Sequence, residues 1–290
     1  MTGEEMGKPS TTSYVQQFAQ EYNLSKALHH AEDGSTWLDA AEPATLASFV
    51  AFCKGSGVYL RGQNCWRGTL LPSLFRGAAS HDDRAARWTA YCTFVKKLKE
   101  LLKGTRFKRR NFGAVLQHYG FRTPWIDVLD DIHAAVWFAL HTCCDLDGAP
   151  HYRRIGAPFG YVLVLAVSKE VCVEDLRLGQ SSRNTRCHVQ QGFSLAMQAD
   201  AAAAPNQNQD FSGRVVGMVR IPNCEHWHLH GFRASQSYLF PSTEIDNTYK
   251  QLLAPQIADL AEKAELQYRV AIGTLGRVAK YSEEDDGPSI

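Results

Sequence analysis

Three Arg-Gly pairs, Arg61-Gly62, Arg67-Gly68 and Arg76-Gly77, fall within the twenty-residue stretch VYLRGQNCWRGTLLPSLFRG. A guanidinium can grip a phosphate through two parallel hydrogen bonds, and a neighbouring glycine lets backbone N–H groups approach the same anion. Arg61, Gly62 and Arg76 are therefore candidates to hold a phosphate-bearing ligand, although three turns with solvated arginines would read the same way. A second stretch, LQHYGFRTPWIDVLDD, places Gln117, His118 and Tyr119 before a glycine, followed by Thr123 and Asp127. Together they offer hydrogen-bond donors, a ring that can stack on a base, a hydroxyl and a carboxylate. Gln117 and Tyr119 join the binding set, and His118, Thr123 and Asp127 join Arg61 in the catalytic set. Each has a structural reading as well. Arg61 can pair with Asp127, His118 can complement a helix C-terminus, Asp127 can cap a helix, Tyr119 can pack in the core, and Thr123-Pro124 can be a turn.

The elements that would position these residues follow from periodicity and punctuation. Helices are predicted from Tyr14 to Leu28 and across TWLDAAEPATLASFVAFCKG, with Pro43 near the start of the second and Gly55 past its end. GVYLRG reads as a strand with Val58 and Leu60 on one face and Tyr59 and Arg61 on the other. In ARWTAYCTFVKKLKELLKG, residues Trp88, Tyr91, Val95, Leu98 and Leu102 recur at the helical period and Gly104 ends the run. A helix to His118, a turn at Gly120, an extended piece from Trp125 to Val128 and a helix buried through Ile132, Ala135, Val136 and Ala139 follow. YVLVLAV (161–167) reads as a central strand. CHVQQGFSLAM and GRVVGMVRIP are predicted as further strands flanking a low-complexity loop over 197–212. A last helical region, capped near Ser242-Thr243, breaks at Pro255. The order implies an α+β fold, a helical N-terminal part and a small mixed or antiparallel sheet flanked by helices. A single domain over 13–280 is expected, between a disordered segment at 1–12 and an acidic tail at 281–290.

The 290 residues carry a formal charge of only +1, so no global field draws nucleic acid or anionic membrane. No apolar run approaches the roughly 18–20 residues that span a bilayer, so no membrane partner is expected. The N-terminus lacks an apolar signal core, and eight cysteines without a C-x-x-C pair read as thiols, which together imply a cytoplasmic protein or a signal-less exported effector. EHWHLH would align His226, His228 and His230 on one face if it were a strand, but the spacing matches no metal motif, and no metal is expected. Lys96 to Arg110 holds eight basic residues opposed only by Glu100. Lys97 lies on the solvated face of the amphipathic helix. Arg106, Lys108, Arg109 and Arg110 lie at or beyond its end and, with Phe107 and Phe112, form a candidate nucleic-acid contact. No Walker loop, dinucleotide-binding glycine fingerprint or G-x-S-x-G nucleophile motif occurs.

YLRGQ…LLPSLFRG together with LQHYGFRTPWIDVLDDIHAAVWFAL resembles the FRG domain family, through Arg61, Gly62, Gln63, Pro72, Phe75, Arg76, Gln117, His118, Tyr119, Gly120, Thr123, Asp127, Ala135, Phe138 and Ala139. RCHVQQGF and LFPSTEID extend the likeness, so that it spans about 45–252. The chain departs from the family in having Arg122-Thr123-Pro124 where Pro-Thr-Arg is usual, and Val128-Leu129 after Asp127 where Trp-Thr is usual. The arrangement is similar in logic to ADP-ribosyltransferases. There an aromatic-Arg-Gly strand holds the NAD phosphates, a hydroxyl residue precedes an alanine-containing helix, and a late Glu or Gln favours glycosidic cleavage. The resemblance implies NAD as substrate, Arg61 and Thr123 as the first two elements, and Gln191, Glu225 or Glu244 as the third, of which Gln191 and Glu244 complete the candidate set. It implies a toxin or phage-defence effector with a protein or nucleic-acid acceptor. The alternative is a non-enzymatic module that senses a nucleotide or binds nucleic acid through 96–110.

Overall fold

The computed structural model of the chain describes residues 14–32, 34–54, 57–103, 112–146, 149–178, 185–197, 209–229, 235–242 and 244–266. It is an α+β fold. Ten strands and ten α-helices are described: α1 (Tyr14–Glu21), β1 (Leu28–His30), β2 (Thr36–Asp39), α2 (Pro43–Lys54), β3 (Val58–Gln63), α3 (His81–Leu101), α4 (Phe112–His118), β4 (Ile126–Leu129), α5 (Ile132–Leu140), β5 (His141–Leu146), β6 (Ala149–Arg154), β7 (Phe159–Ala166), β8 (Val171–Asp175), α6 (Thr185–Val189), β9 (Gly192–Met197), β10 (Val215–Pro222), α7 (Glu225–Leu229), α8 (Gln236–Leu239), α9 (Asn247–Leu252) and α10 (Pro255–Lys263). Eight strands form one sheet in the order β1-β2-β10-β7-β3-β4-β9-β8, and β5 and β6 form a separate hairpin. Neighbours are antiparallel except β2 and β10. The sheet is larger than the small one expected.

Alternation along the strands assigns the core. Leu38, Val58, Leu60, Leu129, Val162, Val164, Val219 and Ile221 face α1, α2 and α5. Tyr59, Ile126, Val128, Leu163, Leu165, Phe193 and Leu195 form the opposite face, under Trp66, Leu70 and Phe211. A third cluster joins α3, α4, α9 and α10 through Phe94, Leu98, Leu116, Tyr119, Phe121, Tyr249 and Ile257. The sheet opens at its centre. β3 pairs β7 from Val58 to Gln63, but among the described residues it meets β4 only at Leu60–Leu129.

Several local expectations are corrected. TWLD is strand β2 and the helix starts at Pro43, since Trp37 and Leu38 gain more from the sheet than from extending the helix. The first helix stops at Glu21. CHVQQGF divides: Cys187 to Val189 are helical, and the strand begins at Gly192 after Gln191 takes a left-handed φ of 48°. EHWHL is helix α7, not a strand, so His226 and His228 do not share the face that alternation would give them, and His230 lies outside the described residues. Helix α9 is capped by Asp246, whose carboxylate accepts from the Tyr249 N–H; Ser242 does not cap it, and Thr243 lies outside the described residues. The N-terminal segment expected to be disordered, the acidic tail, the helix stop at Gly104, Gly55, and most of the low-complexity loop also lie outside them. No described helix is long and apolar enough to cross a membrane.

Candidate functional site

Helix α4 ends in a Schellman motif. The Phe121 N–H reaches back to Leu116 O (3.1 Å) and Gly120 N–H to Gln117 O (3.0 Å), with Gly120 at φ +89°. Only a residue without Cβ adopts this angle cheaply, and the buried Leu116 and Phe121 seal the motif. The turn aims Gln117 and His118 at β4. The Gln117 Oε1 accepts from Ser73 Oγ (3.0 Å) and from Thr123 Oγ1 (2.8 Å), while its Nε2 donates to Asp127 Oδ2 (3.4 Å). Ser73 also accepts from the Thr123 N–H, and Thr123 Oγ1 from the Trp125 N–H. Thr123 is fully buried and spends its hydroxyl on this lock.

Asp127 is paired across the ladder with Ser194, whose hydroxyl lies 3.4 Å from Asp127 Oδ1. Its side chain stays 31% exposed, so it is the carboxylate of this cluster that a ligand can reach. Arg61 points to the opposite face of the sheet, with Tyr59. Its guanidinium crosses the opening between β3 and β4 and donates to the Asp127 main-chain O (2.5 Å), not to the carboxylate. Arg61 thus spans the opening of the sheet beside Asp127, and both are partly open to solvent.

His118 sits behind this mouth, in space that exists because Gly192 lacks a side chain: a Cβ there would lie 2.7 Å from the imidazole Cε1. Its Nδ1 is 3.7 Å from Asp127 Oδ1, and the buried Cys187 thiol lies against the ring. Burial alone pushes this imidazole down, but Cys187 and Asp127 together outweigh it and raise the ring to about 10. Because the folded value is raised above the unfolded one, the stabilisation is complete below about pH 6.5 and is lost as pH rises through about 10. Urea denaturation of the wild type is therefore expected to show stability falling from pH 7 to pH 10. His118→Phe should flatten that limb; an unchanged slope would show that the imidazole is not the titrating group.

Behind His118 is a second buried network. Asp246, with no exposure, accepts from Tyr119 Oη (2.7 and 2.9 Å), the Arg186 N–H (2.9 Å) and the Tyr249 N–H (2.9 Å). The Arg186 guanidinium lies over Tyr119, Phe240 and Tyr249, with its carbon 5.1, 4.8 and 4.7 Å from the ring centroids. Burial, Cys187 and Asp246 all push the Tyr119 phenol above its ordinary value.

The structure therefore brings Gln117, His118, Thr123 and Asp127 together and joins Arg61 to them through the Asp127 main chain. Tyr119 is buried and bonded to Asp246, so its ring is not presented to a ligand. Gly62 faces α5, not an anion: a Cβ there would meet Ala135 O at 2.0 Å. Arg76 closes its own turn by donating to Leu71 O (3.0 Å). Gln191 bonds Arg177 and His188 O and lines a different cleft of about 490 Å³ with Lys54, Leu60, Asp130 and Asp131. Glu244 is exposed on the loop before α9, and Glu225 is paired with Arg154. Lys97 is exposed on α3, whereas Arg106, Lys108, Arg109 and Arg110 lie outside the described residues. Among the described residues no group of three or more His, Cys, Asp or Glu is arranged to hold a metal. The residues not singled out from the sequence were Ser73, Arg186, Cys187, Ser194 and Asp246. They lie within LLPSLFR, RCHVQQGFS and STEID, segments with visible motif character but no indication of contact with one another.

No curated protein and no solved structure matches the chain. The FRG domain matches residues 56–147, a stretch that runs from the start of β3 through β5. It contains Arg61, Ser73, Gln117, His118, Thr123 and Asp127, and excludes Cys187, Arg186 and Asp246. The residues that build the mouth of the site are thus those of the matched stretch, and the chain carries an FRG domain.

Proposed function

We propose that the mouth formed by Arg61, Gln117 and Asp127 binds a phosphate-bearing nucleotide, and that its reaction is ADP-ribosyl transfer from NAD. The observation carrying this reading is the opening of the sheet between β3 and β4, where a half-buried guanidinium crosses to the Asp127 main chain and the Asp127 carboxylate stays reachable beside it. Arg61 contributes the charge that orients a pyrophosphate. Asp127, held by Gln117 and Ser194, contributes the negative charge that an oxocarbenium-like centre requires, the role that the resemblance implies for Gln191, Glu225 or Glu244. In that reaction the bond from the ribose C1′ to the nicotinamide nitrogen breaks, nicotinamide leaves with the electron pair, and an acceptor nucleophile bonds to C1′. His118 and Thr123 act as positioning residues: His118 holds Asp127 from behind, and Thr123 fixes Gln117.

Thermal shift with NAD at low and high salt, alongside nicotinamide release, tests the reading. Stabilisation by NAD that persists at high salt is expected, because a pyrophosphate held in the sheet is screened less than one on an exposed basic face. Arg61→Ala should fold and lose at least about tenfold in NAD affinity, and Asp127→Asn should lower nicotinamide release by about 10²–10³-fold. A folded Arg61→Ala protein that binds NAD as the wild type does would end the proposal, as would the absence of any NAD stabilisation. Stabilisation by short single-stranded RNA alone, and only at low salt, would move the function to the 96–110 segment.

A further inference from the structure

On the far side of α5 is a cleft of about 220 Å³ whose lining includes Trp137, His141, Tyr152, Arg154, Trp227 and His228. Its walls are aromatic. Trp137 stacks on His141 (4.3 Å between centroids, 10° between planes), and the His141 and His228 rings meet edge to face at 5.4 Å. Their hydrogen bonds fix both tautomers. The His141 Nδ1 lies 2.8 Å from Trp137 O, which can only accept, so Nδ1 carries the proton and Nε2 the lone pair. The Asn223 Nδ2 donates to Ile155 O (2.7 Å) and Ala157 O (3.1 Å), which leaves its Oδ1 facing His228 Nε2 at 3.3 Å. That nitrogen is therefore protonated, and the His228 lone pair is on Nδ1.

Both rings are neutral at pH 7. Burial, then Arg154 and His141, lowers His228 to about 4, and burial, reinforced by Arg154, lowers His141. The remaining charge at the cleft is compensated, because Arg154 Nη1 bonds Glu225 Oε2 at 2.9 Å. An aromatic cleft with two imidazole acceptor nitrogens and a cancelled charge suits a flat, uncharged ring bearing N–H donors.

We infer that this cleft is a second ligand site, distinct from the Arg61 mouth, and that it takes an uncharged amino-substituted heteroaromatic ring of nucleobase size. The exocyclic amine donates to the imidazole lone pairs, and the ring lies against the aromatic wall. At about 220 Å³ the cleft is below the usual 300–1,000 Å³ of drug-sized sites, so it admits the ring without an attached nucleotide.

The probes are adenine and purine, which differ by the exocyclic amine, titrated by calorimetry and by fluorescence of Trp137 and Trp227. Adenine is expected to bind at least tenfold more tightly than purine. His228→Phe, which keeps an aromatic ring and removes one of the two acceptors, should reduce that difference severalfold while leaving the melting temperature within a few degrees. Arg61→Ala should leave adenine binding unchanged, which separates this site from the NAD reading. Equal affinity for the two bases, no binding at millimolar concentration, or unaltered discrimination in a folded His228→Phe protein would each overturn the inference.

Discussion

Asp246→Ala is expected to be the most destabilising substitution among the polar residues of the candidate site. The carboxylate has no exposure and serves three donors: Tyr119 Oη, the Arg186 N–H and the Tyr249 N–H. Truncation leaves the phenol and two main-chain donors without their acceptor. Leaving three buried donors unsatisfied in this way costs about 3–5 kcal/mol. Tyr119→Phe removes one donor and should cost about 1–2 kcal/mol. Because both substitutions act on the same bond, the double variant should be less destabilised than the sum of the two. Equilibrium urea denaturation of the three proteins measures this. Strict additivity would show that Tyr119 and Asp246 do not stabilise one another.

Gly62→Ala has an expected effect of similar size and a different origin. The added Cβ would lie 2.0 Å from Ala135 O and 2.6 Å from Ala139 N. Both are helix backbone atoms, so no side chain can rotate away. Helix α5 must lift off β3, and with it go the contacts of Ala135 and Ala139, both fully buried. Overpacking usually costs about 1–3 kcal/mol, and a clash with two backbone atoms of α5 should exceed that range. The same variant separates two readings of the Arg-Gly pair. If Gly62 served to let backbone approach a phosphate, Gly62→Ala would fold normally and bind nucleotide weakly. The packing seen here requires a large fall in the urea midpoint instead, and a normal midpoint would refute it.

The two substitutions also show which features were legible in the chain. Arg61-Gly62 is visible as a motif, but a motif does not say what surrounds a glycine. Gly62 and Ala135 are far apart in sequence, and only the docking of α5 on β3 makes the missing side chain a packing requirement. Tyr119 is similar: its ring, next to His118, reads equally as a stacking platform or as core. The choice depends on Asp246, 127 residues away. The conformation of α7 was not legible because five residues are too few to display a period, and EHWHL fits alternation as well as it fits a helical turn.

The sequence alone determined the α+β class, strands β3, β4 and β7, helices α3, α4 and α5, and the grouping of Gln117, His118, Thr123 and Asp127. These rest on short-range signals: periodicity, a glycine just after α4, and residues close enough in the chain to share one turn. The tertiary structure decided which face of the sheet Arg61 occupies and that its partner is the Asp127 carbonyl. It also decided that Cys187 meets His118 and that Asp246 anchors Tyr119 and Arg186. Those pairings join segments 60 to 127 residues apart. Chain-local propensity has no information at that range; burial and hydrogen-bond satisfaction select such pairs only when the sheet has assembled.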